Sequence, residues 1–158
     1  MNKGNKYYAA HGFFTNAVQM ADKCPTAAIV GTGELKGYRL CFKGSDAEAV
    51  AVAAPDKDAT IPIRVWEITP ADEAALDRCE GFPALCGKEQ VKVKLDGKTV
   101  TASFYVLNAE GLPLGRPSAF HYKTIIEGYE DMGLDTKPLS KALETAAEAV
   151  KASADEPL

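Results

Sequence analysis

TPADEAALDRCEG, residues 69 to 81, is written as a helix with both of its ends marked. Thr69 offers a capping hydroxyl, Pro70 takes the first helical position, where its missing N–H costs nothing, and Asp72 follows as the carboxylate that answers the cap. Ala74, Ala75, Leu76 and Cys79 then make one apolar face, and Gly81 stops the helix. Immediately before it, Ile61 to Ile68 reads as a strand, with Ile61, Ile63 and Val65 on one side and Arg64 and Trp66 on the other. After it, Glu89 to Leu95 and Thr99 to Leu107 alternate around Asp96-Gly97, a strong hairpin signal. A helix set among strands of this kind predicts an α+β fold.

The flanking chain adds more of both elements. Tyr7 to Ala10 is a short apolar run ending near Gly12, which suits a buried strand, and Thr15 to Lys23 suits a short helix capped by Asn16 and stopped at Cys24-Pro25. Ala28 to Leu35, Tyr38 to Lys43 and Ala49 to Ala54 read as strands, the first two joined by Lys36-Gly37 as a turn. Pro62 argues that the strand ending at Ile68 begins late or lies at an edge. Ser118 caps a helix running to about Met132, with Gly133 as its stop, and Pro138 opens a last helix with Leu139, Ala142, Leu143, Ala146 and Val150 at helical spacing. With no internal repeat, the expectation is one domain over residues 1–153 with at least six strands, followed by a polar tail over 154–158.

Composition narrows the function classes. The 158 residues carry 18 basic and 22 acidic side chains, a formal net charge of -4, so no basic face attracts a phosphate backbone and a nucleic-acid partner is not expected. No run of 18 or more apolar residues and no signal-peptide core occurs, which predicts a cytoplasmic protein without a membrane partner. Cys24, Cys41, Cys79 and Cys86 form no C-x-x-C pair and read as free thiols in a reducing compartment, Cys79 and Cys86 being the one pair near enough in sequence for a redox role. The chain has no G-x-x-x-x-G-K, G-x-S-x-G or H-E-x-x-H, so the common nucleotide, hydrolase and metalloprotease signatures are missing. One residue stands out: Glu80 occupies the last turn of its helix, where the negative end of the helix dipole raises a carboxyl pKa.

Several pieces together are more specific than any alone. A first strand running into Gly12, Gln19-Met20, Cys24-Pro25, Gly37-Tyr38-Arg39-Leu40, the motif LDRCEG at Leu76 to Gly81, Arg116-Pro117-Ser118, Glu127-Gly128-Tyr129 and Gly133-Leu134 follow one another in order. In this the chain resembles the gamma-glutamylcyclotransferase-like superfamily, with its gamma-glutamylamine cyclotransferase relatives, from about Tyr7 to Leu143. The resemblance implies a small mixed β-barrel with surrounding helices and a pocket at one end. It also implies that a γ-glutamyl amine or amino acid is converted to 5-oxoproline and the free amine, without a cofactor and with Glu80 as general acid/base. The partner is then a small-molecule substrate; no oligomeric state is implied.

The family's substrate-holding loop reads Tyr-Gly-Ser-Asn, whereas this chain reads His11-Gly12-Phe13-Phe14. The loop's backbone N–H groups survive that change, but the polar side chains that would orient a zwitterionic head do not. The family's tyrosine after the glutamate falls near Cys86, and its tyrosine on the later helix falls on His121, with Tyr122 adjacent. The substrate-binding set is therefore His11, Gly12, Phe13 and Phe14 with Cys86, His121 and Tyr122. The alternative is an altered member whose pocket binds a small ligand, or presents a protein surface, without turnover. His11, Cys86, His121 and Glu80 are residue types that zinc accepts, but polar lining is the stronger reading and no metal is assigned.

Overall fold

The cap at Thr69 forms as expected. Its hydroxyl accepts the Asp72 N–H at 3.2 Å, the Asp72 carboxylate accepts the Thr69 N–H at 3.0 Å, and the helix runs from Pro70 to Glu80. In the computed structural model, which describes residues 2–154, the elements follow in the order β1 (Lys6–Ala10), a 3-10 turn (Phe13–Thr15), α1 (Ala17–Lys23), β2 (Ala28–Lys43), β3 (Val50–Ile68) and α2 (Pro70–Glu80). They continue with β4 (Cys86–Leu95), β5 (Lys98–Leu107), α3 (Ala119–Asp131) and α4 (Lys137–Ala154). Asn16 and Ser118 cap α1 and α3, the Asn16 side chain accepting from Val18 and Gln19 and the Ser118 hydroxyl from His121.

The strands form one mixed sheet in the order β2-β3-β1-β5-β4. Here five strands stand where at least six were expected, because two pairs fuse. Lys36-Gly37 is not a turn: β2 continues through it with a register shift between Lys36 and Tyr38. Likewise β3 runs from Val50 to Ile68: Val50 to Pro55 and Thr60 to Glu67 pair with β2, and Asp56 to Ala59 make up the irregularity where the register shifts opposite Gly37. Pro62 is tolerated inside that strand because it pairs with Glu34 on one side, while β1 covers only Arg64 to Ile68 on the other. Ala154 is still helical, so α4 reaches one residue into the tail expected over 154–158, and the remainder lies outside the described residues.

The sheet curls strongly without closing. Gly33 of β2 backs onto Val93 and Leu95 of β4, so the two edge strands meet across a packed interior with no ladder between them among the described residues. The barrel implied by the resemblance is thus an open one. Ile61, Ile63 and Val65 bury against one side chain cluster with Phe104, Ile125, Tyr129 and Leu139, under α3 and α4. Trp66 and Ile68 bury in a second cluster with Met20 and Leu76, under α1 and α2. From Ile61 to Ile68 β3 is buried on both faces, and each side of it there removes apolar area from water. Among the described residues no helix is long and apolar enough to cross a membrane.

Candidate functional site

One end of the sheet opens into a cavity of about 500 Å³. The parallel neighbours β1 and β5 both finish there, β3 and β4 both begin there, and the C-terminal end of α2 and the first turn of α3 close its sides. This convergence brings Glu80, His11, Gly12, Phe13 and Phe14 to one cavity, together with Cys86 and His121.

Glu80 is the last residue of α2. Gly81 follows in the left-handed region at φ 69°, a turn that a glycine takes without strain, and the chain is diverted so that the carboxylate stays at the cavity wall. Desolvation raises its pKa above the usual carboxylate range. The sequence placed Glu80 at a partly buried helix end, and burial is the cause of the shift. Two neighbours register the charge: burial first and then Glu80 raise the Tyr8 phenol and the Cys86 thiol, the latter to about 11.

The loop from Gly12 to Thr15 is polarised by its own hydrogen bonds. Every carbonyl is taken. Gly12 O accepts from Thr15 N at 3.0 Å and Thr15 Oγ1 at 2.6 Å, and Phe13 O accepts from Asn16 N at 3.2 Å. Phe14 O accepts from Trp66 Nε1 at 3.0 Å, and Thr15 O from Arg64 Nη1 at 3.1 Å. By contrast, among the described residues no hydrogen bond occupies the backbone N–H of Gly12, Phe13 or Phe14. A loop whose acceptors are all satisfied and whose donors are not is a ready anion site. Gly128 of α3 lets the helix press against it: a Cβ there would lie 2.9 Å from the Thr15 carbonyl carbon and 3.0 Å from Asn16 N.

The aromatic side chains of that loop build a wall. Phe13 stacks on His121 with ring centroids 5.6 Å apart and packs on Phe14 edge-on at 5.4 Å. His121 Nε2 accepts the Ala51 N–H at 3.2 Å, and desolvation lowers its pKa. His11, edge-on to Phe104, is pushed down to about 4 by desolvation. Both rings are neutral at neutral pH. Tyr122 does not line the cavity; one helical step from His121, it turns toward Phe42 in the core, at 6.0 Å between rings.

Two residues absent from the sequence reading belong here. Tyr8 and Tyr105 both line the cavity and meet edge-on at 5.9 Å. The Tyr105 hydroxyl donates to Asp77 Oδ1 at 2.5 Å, while Lys88 Nζ lies 2.7 Å from the same oxygen and 3.0 Å from Glu73. Burial, then that bond to Asp77, raises the Tyr105 pKa. Asp77 and Lys88 thus hold one another beside the cavity. Among the described residues no group of three or more His, Cys, Asp or Glu has the geometry to hold a metal ion.

The family model described as gamma-glutamyl cyclotransferase, AIG2-like, matches residues 11–124. No curated protein matches the chain. Among solved structures, an uncharacterized human protein superposes with a TM-score of 0.77 at 21% identity, over 89% of this chain and 87% of that one. A gamma-glutamyl cyclotransferase superposes at 0.76 and 21% identity, over 87% and 86%. A yeast gamma-glutamyl cyclotransferase specific to glutathione does so at 0.62 and 9% identity, over 93% and 97%. At such identities the likeness is one of fold.

Proposed function

Because the chain belongs to the gamma-glutamyl cyclotransferase, AIG2-like family, we propose that it cyclises a γ-glutamyl amine or amino acid to 5-oxoproline, releasing the free amine, with Glu80 as general acid/base. The α-ammonium of the glutamyl group is not a nucleophile until it loses a proton, and Glu80 takes it. The freed amine attacks the γ-carbonyl carbon and a five-membered ring forms. As the tetrahedral intermediate collapses, the bond to the leaving nitrogen breaks and Glu80 returns the proton to that nitrogen; the ring nitrogen's second proton passes to the released amine, which departs as its ammonium. The N–H groups of Gly12, Phe13 and Phe14 hold the substrate carboxylate or the developing oxyanion.

The observation that carries this reading is a desolvated carboxylate sharing one cavity with a loop of unoccupied N–H groups. A carboxyl whose pKa is raised by burial holds a proton more readily than an ordinary one, as a group that takes and returns a proton must. Its neighbours are poorly suited: His11 titrates far below neutrality and the Cys86 thiol far above it. Release of 5-oxoproline from a panel of γ-glutamyl amines and amino acids by wild type, and its loss in Glu80→Gln, is the test; equal turnover by Glu80→Gln removes the mechanism. This reading takes a small-molecule substrate, no cofactor and a cytoplasmic setting, in keeping with Cys24, Cys41, Cys79 and Cys86 all being unpaired. It treats residues 1–153 as one functional domain, with the anion-holding role at Gly12 to Phe14 and His11 beside them in the substrate-binding set.

A second reading is favoured by Phe13 and Phe14, which give the loop no polar side chain for a zwitterionic head. On it, the pocket binds a small ligand without turnover. Thermal stabilisation by amino-acid derivatives or nucleotides, with no 5-oxoproline formed, supports it; no stabilisation by any of them removes it.

A further inference from the structure

The rim of the cavity is apolar. Leu85 and Val50 line it and are 63% and 39% exposed. Phe120, 63% exposed, packs on Phe13 with ring centroids 6.1 Å apart, extending the Phe13–His121 stack out of the cavity toward solvent. Exposed apolar surface continuous with a binding cavity is surface awaiting a ligand. His121 adds no charge to it, since its Nε2 is occupied by the Ala51 N–H.

Charge in the lining is sparse. Glu80 is its one carboxylate, and Lys23 its one basic side chain, half-exposed and 3.6 Å from Asp22. The glutamyl head uses Glu80 for its amine and the N–H groups of Gly12 to Phe14 for its carboxylate. Besides Lys23, which is paired with Asp22, and the phenols of Tyr8 and Tyr105, what remains for the leaving side is rings and aliphatic groups. A leaving amino acid would bring a carboxylate, and a leaving diamine an ammonium, and neither meets an opposite charge among Phe13, Phe120, Leu85 and Val50. An aromatic ring finds a face on which to stack.

Resting on the cyclotransferase reading, we propose that the substrates are γ-glutamyl conjugates of arylalkyl amines that carry no charged group beyond the nitrogen in the amide, with the aryl group seated against Phe13, Phe120 and Leu85 at the mouth. Phe13 and Phe120 are then specificity-determining residues. The substitution of the loop's polar residues by rings becomes a change of substrate class in place of a loss of function.

The test separates selectivity from turnover. Affinities of γ-glutamyl-phenethylamide, γ-glutamylglycine and γ-glutamyl-ε-lysine are measured by calorimetry on Glu80→Gln, which is not expected to turn them over. The aryl conjugate is expected to bind roughly tenfold tighter or more, the scale set by burying one ring. Adding Phe120→Ala, an exposed position whose truncation leaves the core intact, lowers that ratio at least threefold. Equal affinities, no binding of any conjugate by Glu80→Gln and by wild type alike, or a ratio unmoved by both Phe120→Ala and Phe13→Ser overturns the proposal. Wild-type 5-oxoproline release is scored separately: its absence beside an intact aryl preference removes the cyclotransferase reading and leaves the selectivity standing.

Discussion

His121 Nε2 accepts the backbone N–H of Ala51 at 3.2 Å, which places the imidazole proton on Nδ1 and holds the ring neutral against Phe13. Protonating Nε2 would set one donor against another. His11 is held neutral for a different reason, desolvation beside Phe104, and titrates at about 4. In the unfolded chain both histidines titrate near about 6.5.

The consequence is a fold that weakens in mild acid. Above pH ~6.5 both states are neutral at these rings and stability is unaffected. Between there and about pH 4 the unfolded state binds protons that the native state refuses, so stability falls as pH falls. The slope approaches ~1.4 kcal/mol per pH unit for His11, or about 2 kcal/mol between pH 6.5 and pH 5, and His121 adds to it in the same direction. Urea midpoints at pH 7 and pH 5 should show the drop, and His11→Phe should flatten most of it. A wild-type midpoint indifferent to pH in this range would contradict the assignment.

Glu80 acts with the opposite sign. Its folded pKa is raised, so the ionised carboxylate disfavours the native state above the unfolded value of ~4.3, and that penalty disappears as pH falls below it. Glu80→Gln should therefore raise Tm at pH 7 while lowering kcat by roughly 10²- to 10⁴-fold, the usual worth of general acid/base catalysis. The Tm gain should vanish at pH 4. A variant that is both less stable and inactive would mean that Glu80 is structural.

Gly128→Ala probes the seat of the loop. The added methyl would press on Thr15 and Asn16, whose backbone cannot retreat because Arg64 holds Thr15 O and the Asn16 side chain holds Thr124 O. Overpacking of this kind costs about 1–3 kcal/mol. Chemical denaturation should show that loss, and ligand affinity should fall with it, because the displaced segment carries the free N–H groups. Full affinity in a destabilised variant would show that the loop's position does not govern binding.

Some of this was legible in the sequence for clear reasons. Local chemistry marks its own place: Thr69 with Asp72, Asn16, Ser118 and the Asp96-Gly97 hairpin all act over a few residues, and all appear as read. Fusion of the strand pairs was not legible, because Pro55 to Thr60 looks like a loop, and only the pairing of Pro55 with Tyr38 and of Thr60 with Lys36 carries the strand past it. Tyr8 and Tyr105 sit at ordinary core positions of alternating strands, and only the parallel pairing of β1 with β5 brings them together beside Glu80. His121 and Tyr122 were inseparable for a related reason. Adjacent helical residues point about 100° apart, and which one faces the cavity depends on how α3 packs.

Trp66→Phe tests the link between that packing and the site. The phenyl ring keeps most of the buried volume but removes the indole N–H, so Phe14 O, buried and 3.0 Å from Nε1, loses its donor. An unpaired buried carbonyl costs about 1–3 kcal/mol, and the peptide can recover part of it by rotating toward another donor. Such a rotation would turn the Thr15 N–H of the same peptide away from Gly12 O and loosen the turn that presents the free N–H groups. The expected result is a loss of stability in that range with KM raised more than kcat is lowered, since the loop holds the glutamyl head and Glu80 is untouched. Arg64→Met is the companion: it frees Thr15 O by the same logic, and its partner Asp131 is 57% exposed and so regains water. Both variants should shift KM in the same direction. If either destabilises the protein and leaves KM unchanged, the carbonyl contacts maintain the fold alone and the N–H groups of the loop do not hold the substrate.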